Sequence, residues 1–190
     1  MSVVYVIAGP NGSGKTTVAR KLINELKMPF LNADDIAYEL NPKDISSVRL
    51  QAGKLFLAHR KKLMDQYSSF AFESTLSGSN LKKFLSDLKK KDYHISIAFY
   101  FLHSPQECIE RIKTRVKKGG HFVPDADVIR RYSRSIINFW SVYKNLADQW
   151  KLYYSGRNSP VQLAYGKFSD YEIVDRDLFE LFMKVIKNEQ

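Results

Sequence analysis

Cysteine is nearly absent from this chain. Its 190 residues include one, Cys108, so no internal disulfide can form. That favours a reducing compartment. No uninterrupted apolar run approaches the ~20 residues that a membrane-spanning helix needs. Internal repeats, low-complexity tracts and Pro/Gly-rich linkers are also missing. A single domain over residues 1–190, long enough to bury a sizeable core, is therefore expected. The first apolar run begins at residue 3. That leaves no room for a signal peptide, and a cytoplasmic location is expected. Acidic residues are in deficit: 20 Asp and Glu against 30 Lys and Arg give a formal charge of +10. A surface of that sign attracts nucleic acid, anionic lipid, an acidic protein or a phosphate-rich substrate. No RNA-binding aromatic motif accompanies the charge, so nucleic acid is not the expected partner.

What is present begins with Gly9-Pro10-Asn11-Gly12-Ser13-Gly14-Lys15-Thr16, followed by Thr17. The run fits the P-loop pattern G-x-x-x-x-G-K-[ST] without mismatch. An apolar, β-rich run, Val3 to Ala8, precedes it. Val18, Ala19, Leu22, Ile23 and Leu26 mark one apolar helical face after it. Strand, loop and helix are the context that the motif requires. Glycines let backbone N–H groups turn inward around phosphates, and the helix N-terminus adds positive potential. Lys15 is then placed to reach the β- and γ-phosphates of ATP or GTP, and the Thr16 hydroxyl to ligate Mg²⁺.

Strands and helices alternate along the rest of the chain, which predicts an α/β fold: a mostly parallel sheet with helices on both faces. Strands are expected at Pro29–Leu31, Phe70–Phe72, Ile95–Leu102, Lys151–Tyr154 and Val161–Tyr165, the last two around turn residues 156–160. Helices are expected over Ser47–Tyr67, through Leu81, Phe84, Leu85 and Leu88, and over Asp177–Lys187. Another starts at Ser104-Pro105-Gln106-Glu107 with a capping box and a first-turn proline. Two glycines and a proline bracket the basic stretch Arg115–Pro124, as in a mobile lid spanning about residues 115–135. A long helix follows, with an apolar stripe through Ile129, Tyr132, Ile136, Phe139, Tyr143 and Leu146. Its aromatics read as core.

The chemistry depends on what faces the P-loop. The strongest later strand ends in His103-Ser104, not in the acidic pair of a motor-type ATPase. Asp34 and Asp35 fall where strand two ends, and ligands of parallel sheets gather at such ends. An aspartate there either accepts the proton of an attacking hydroxyl or caps a helix. Glu73 ends strand three, where a carboxylate binds a substrate hydroxyl, holds a Mg²⁺-bound water or is merely exposed. Arg111, Lys113, Arg115, Lys117, Lys118, Arg130, Arg131 and Arg134 crowd the lid and its flanks. Arg115 and Arg131 are the choices for phosphate-stabilising arginines, with Arg134 third, because guanidinium forks match a transferring phosphoryl group. His121, in the Gly-Gly-His turn, either contacts ligand or is structural.

The ordered set GPNGSGKTT, NADD, FESTLSG and RVKKGGHFVPDADVIRRYSRSI resembles the zeta-toxin family, in its short chromosomal branch, over residues 3 to about 155. The resemblance implies a P-loop kinase fold and an ATP- or GTP-dependent, Mg²⁺-assisted phosphotransferase. It implies a small-molecule acceptor of the nucleotide-sugar type, UDP-N-acetylglucosamine in the characterised toxins, and a small antitoxin as partner. By motif, Asp34 falls on the catalytic base and Glu73 on the substrate-binding glutamate. Thr75, His121 and Arg134 are expected on the acceptor side, and Lys15, Arg115 and Arg131 at the transferring group. Two departures stand out. Asn32-Ala33-Asp34 replaces the Asp-Asn-Asp string of the plasmid toxins, and Phe72-Glu73-Ser74-Thr75 replaces their Glu-Gly-Thr. A P-loop kinase with another acceptor (an antibiotic or a nucleic-acid 5′-hydroxyl) and a nucleotide-regulated binding protein with little turnover remain as alternatives.

Overall fold

A computed structural model describes residues 1–156 and 159–188. Seven strands are seen among them: β1 (Val3–Ala8), β2 (Phe30–Leu31), β3 (Phe70–Ser74), β4 (His94–Phe101), β5 (Gln149–Ser155), β6 (Pro160–Lys167) and β7 (Asp170–Ile173). They form one sheet in the order β2-β3-β1-β4-β5-β6-β7. The five strands β1 to β5 run parallel, because a helical crossover separates each from the next. The last two add antiparallel, as a meander. In the centre, Val6 lies level with Phe72 of β3 and Ile97 of β4. The crossover from β1 runs past β3 to β2, and the one from β3 runs back past β1 to β4, so these two adjacent strands send their connections in opposite directions. The crevice this opens at the carboxyl end of β1 is where ligands of such sheets bind.

Among the described residues seven α-helices accompany the sheet: α1 (Lys15–Leu26), α2 (Ala33–Leu40), α3 (Arg49–Asp65), α4 (Asn80–Lys90), α5 (Pro105–Lys117), α6 (Asp125–Asn138) and α7 (Arg176–Lys187). Alternation along the strands sends Val4, Val6, Phe70, Phe72, Ile97, Phe99 and Leu152 into the main core. There they meet Leu85 and Leu88 of α4, Ile109 and Ile112 of α5, Ile136 of α6 and Phe182 of α7. The opposite face carries Ile7, Ala71 and Tyr100, packed with Val18, Ala19 and Ile23 of α1. Phe72 is fully buried, and truncating such a side chain to alanine removes about 3–5 kcal/mol.

Several expected boundaries move. The helix foreseen over Ser47–Tyr67 begins at Arg49, after a 3-10 turn, Ile45–Val48, whose entry Asp44 caps by accepting from the Ser46 and Ser47 amides. The continuous helix expected to Leu146 stops at Asn138. A wider π-type turn, Phe139–Tyr143, and a 3-10 turn, Lys144–Leu146, replace its end. The extra residue in that turn lets Phe139 stack on Phe99, with ring centroids 4.3 Å apart, while the Tyr143 hydroxyl reaches the Gly78 carbonyl at 2.5 Å. The lid expected over residues 115–135 is mostly helix: only residues 118–124 lie between α5 and α6. Ser104 does cap α5, accepting from the Glu107 amide, with Pro105 in the first turn. Of the turn expected at residues 156–160, two positions lie outside the described residues. No described helix is long and apolar enough to cross a membrane.

Candidate active site

The P-loop leaves β1 at Gly9, whose amide donates to the Ser74 carbonyl at 3.2 Å and so ties the loop to the end of β3. Gly12 has φ +82°, and a Cβ there would stand 2.5 Å from the Cys108 carbonyl oxygen. Only glycine fits a loop pressed this closely against α5. Helix α1 then starts at Lys15. Its N-cap Gly14 is left-handed and offers no side-chain acceptor, and the first turn holds no acidic residue. The amides at this helix start therefore face an anion site rather than a cap. Asn11 Oδ1 and Ser13 Oγ are buried without hydrogen-bond partners. This open, uncapped cradle fits a triphosphate.

Lys15 donates through Nζ to the Pro10 carbonyl at 3.1 Å, folded over the loop. Burial pulls its pKa below the usual lysine value, while the charges of Glu73 and Asp34 oppose the shift. Glu73, at the end of β3, accepts from the Thr16 hydroxyl at 3.0 Å and from the side-chain amide of Asn32. Burial raises the Glu73 carboxyl's pKa, and Lys15 and Thr16 work against that rise. Among the described residues no cluster of three or more His, Cys, Asp and Glu could hold a metal alone. Thr16 and Glu73 instead suit a magnesium ion shared with phosphate oxygens.

Asn32, not an aspartate, caps α2: its Oδ1 accepts from the Asp34 amide at 2.8 Å. Asp34 lies in the first turn with its carboxylate toward the cavity, whereas Asp35 turns away to pair with Arg20 at 3.2 Å. Beyond the P-loop, Arg115 donates to the His121 carbonyl at 2.6 Å, and the Gly120 amide returns a bond to the Arg115 carbonyl at 3.0 Å. These two bonds close the Gly-Gly-His turn over α5. A side chain at Gly120 would run into the Arg115 stem. His121 Nε2 is buried without a partner, and burial lowers the imidazole's pKa against the pull of Asp34.

Most of these groups line one cavity of about 810 Å³. It gathers Lys15, Thr16, Asp34, Glu73, Thr75, Arg115, His121 and Arg131. Arg131 also pairs with Asp127 at 3.1 Å. Arg134 is exposed on α6 and is not among the lining residues. Two further arginines are present: Arg111, counted in the basic cluster but not chosen from it, and Arg49, which sequence reasoning passed over. Arg111 hangs beside Gly14, held by the Ser155 and Gly156 carbonyls at 2.6 and 3.1 Å. It precedes Arg115 by one helical turn, and that spacing was the available signal. Arg49 enters from the start of α3, far in sequence from any motif. The segment after β3 is fixed from α6 and the turn following it. Ser135 donates to the Thr75 carbonyl, Asn138 to that of Leu76 at 2.8 Å and Tyr143 to that of Gly78.

The chain is similar to a shikimate kinase of Corynebacterium diphtheriae, 26% identical over 161 residues that cover 84% of this chain and 89% of that one. Its fold matches a chain of the AvrRxo1-ORF1:AvrRxo1-ORF2 complex with sulphate ions, at TM-score 0.80 and 14% identity. That alignment covers 98% of this chain but only 64% of the other, and the same complex is also known with ATP. A second match is the PezAT chromosomal toxin–antitoxin system of Streptococcus pneumoniae, at TM-score 0.64 and 14% identity, covering 100% of this chain and 88% of that one. These structural likenesses establish the P-loop kinase fold. The sequence profile of one family matches residues 4–136, from β1 nearly to the end of α6. With 70% of its length inside that match, the chain belongs to the AAA domain family.

Proposed function

We propose that the protein is a kinase that transfers the γ-phosphoryl group of ATP to a hydroxyl of a small molecule. The observation that carries this reading is the placement of Asp34 and Lys15 in one cavity, at the uncapped start of α1. A pure nucleotide switch has no use for a free carboxylate at that point. In the proposed reaction the acceptor oxygen bonds to the γ-phosphorus as the bond to the β–γ bridging oxygen breaks. The acceptor's proton passes to an Asp34 carboxylate oxygen, and ADP leaves. Lys15, Arg115 and Arg131 offset the negative charge on the transferring group, with Arg111 beside the P-loop as a fourth cation. Magnesium, held through Thr16 and Glu73, supplies charge neutralisation on the phosphates.

The finer reading is a nucleotide-sugar acceptor, UDP-N-acetylglucosamine first, and a small antitoxin as partner. The motif resemblance and the fold shared with a toxin–antitoxin system support it. Protein, ATP and Mg²⁺ incubated with cell extract, followed by mass spectrometry for a metabolite heavier by one phosphoryl group, tests the kinase reading. A panel of UDP-sugars tests the acceptor. ATP loss that no acceptor stimulates would overturn the first; a phosphorylated product outside the UDP-sugars would overturn the second.

A further inference from the structure

Helix α6 carries a row of polar side chains at i, i+4 and i+7 that runs from the cavity to the turn after β3. Arg131 lines the cavity. Ser135 is fully buried and donates to the Thr75 carbonyl. Asn138 donates to the Leu76 carbonyl at 2.8 Å. Their spacing puts all three on one face of the helix. The turn they reach is strained. Leu76 has φ +55° and is only 1% exposed. A leucine in the left-handed region is unfavourable alone and persists where its surroundings over-determine it. Here they do. The Leu76 amide donates to Ser74 Oγ at 3.1 Å while its carbonyl takes Asn138. Thr75 Oγ1 accepts from the Ser77 amide at 3.4 Å and lies 2.8 Å from Ser77 Oγ. The Ser74 carbonyl is tied in turn to the Gly9 amide of the P-loop. Ser74 and Thr75 line the cavity beside Glu73. A connection that merely joined β3 to α4 has no need of a buried left-handed leucine whose carbonyl is held from another helix.

Resting on the kinase reading, we infer that Ser135 and Asn138 are positioning residues for the phosphoryl acceptor. They act through the Thr75–Leu76 turn, which contacts the acceptor molecule. They also fix that turn to the helix that brings Arg131 to the transferring group. The floor under the acceptor and one phosphate-stabilising arginine are thereby parts of a single rigid body. The reacting oxygen then keeps its line to the γ-phosphorus. Water attacking in place of the acceptor needs no such floor. The clasp therefore sets how ATP is divided between transfer and hydrolysis, and not how tightly ATP binds.

Two measurements test the inference, both on Asn138→Asp. Asn138 is half-buried, and aspartate keeps its shape but sets a carboxylate oxygen against the Leu76 carbonyl. The first measurement needs no phosphoryl acceptor. Hydrogen exchange is followed in protein loaded with Mg²⁺ and a non-hydrolysable ATP analogue. Exchange at the Leu76 and Ser77 amides should rise about tenfold, the size of one lost hydrogen bond, with analogue affinity and P-loop protection as in the wild type. Unchanged exchange at those two amides, or a tenfold loss of analogue affinity, overturns the inference. The second measurement uses the small-molecule fraction of a cell extract and reads phosphorylated metabolite formed per ATP consumed. That ratio should fall about tenfold, while ATP hydrolysis in buffer alone stays at the wild-type rate. It should recover in part in Asn138→Gln, which keeps the amide donor. A wild-type ratio in Asn138→Asp overturns the inference and leaves the kinase reading standing. If the wild type phosphorylates no metabolite, the kinase reading falls, and the positioning role that rests on it falls too, whatever the exchange shows.

Discussion

The Thr16 hydroxyl donates to Glu73 Oε1 at 3.0 Å, across 57 residues of sequence. The other oxygen of Glu73 takes the Asn32 amide, so a single carboxylate joins the P-loop, the end of β3 and the N-cap of α2. Position at a strand end allowed either substrate or metal work for Glu73; the bond to Thr16 puts it beside the hydroxyl proposed to ligate magnesium. Glu73→Gln should therefore lower ATP affinity when Mg²⁺ is present and change it little when Mg²⁺ is chelated. Binding titrations in both conditions check this. Equal ATP affinities together with a raised acceptor KM would return Glu73 to the substrate role that the zeta-toxin resemblance implies.

Asp34 and Asp35 should separate cleanly. Asp34→Asn should lose about 10²–10⁴-fold in transfer, the range for a general base, with ATP affinity near wild type. Its melting temperature should hardly move, because Asn32 rather than Asp34 caps the helix. Asp35→Asn gives up a solvent-exposed pair with Arg20, an interaction of about 0–1 kcal/mol, and should remain active. A dead Asp35→Asn beside an active Asp34→Asn would reverse the assignment.

Arginine substitutions should sort by cavity position and not by local charge density. Arg115→Ala and Arg131→Ala should each reduce kcat, on the order of 10²–10³-fold per lost donor. Lysine at position 115 should not restore the rate, since a point charge cannot replace a planar fork that also holds the His121 carbonyl. Arg134→Ala, exposed and outside the cavity lining, should behave as wild type. Steady-state kinetics with kcat and nucleotide KM read separately decide the matter. A crippled Arg134→Ala with a normal Arg131→Ala would move the catalytic group along α6.

Stability should fall in acid partly through His121. Burial lowers its pKa below the ordinary 6.5. As pH drops through 6.5 the unfolded chain takes up this proton before the folded one does. Stability is then lost progressively until the folded imidazole also titrates. Above 6.5 both states are neutral and the contribution is complete. His121→Gln should flatten this part of the acid limb in denaturant melts below about pH 6.5. An unchanged slope would mean that the imidazole gains its proton in the folded state as readily as in the unfolded one.

The legible features of this chain are the local ones. A P-loop is a strand, a turn and a helix in continuous sequence, so its pattern is legible even though its glycines also answer to Tyr100 and Cys108 far along the chain. Asp34 was legible for the same reason, as a carboxylate just past a strand end. Arg49 was not, because its place depends on how α3 packs against α2, with no periodic or motif signal. β7 escaped notice because all four of its residues are exposed, so no buried face marks it. The break in the long helix after Asn138 was hidden by an apolar stripe that continues through it. Only the stacking of Phe139 on Phe99 and the reach of Tyr143 to Gly78 show why the turn widens.

The clasp of Ser135, Asn138 and Tyr143 on the segment after β3 joins residues 60, 62 and 65 positions apart. On the ribosome, Thr75–Gly78 is thus made well before the groups that hold it. At about 5–20 residues per second, the interval is roughly 3–13 s. Asn138 and Tyr143 also lie beyond residue 136, where the family match ends. A nascent chain halted at that boundary has its phosphate cradle and Ser135, yet two of the three clasps are unmade. Nucleotide retention by stalled chains should therefore appear earlier in synthesis than transfer activity, which awaits translation past Tyr143.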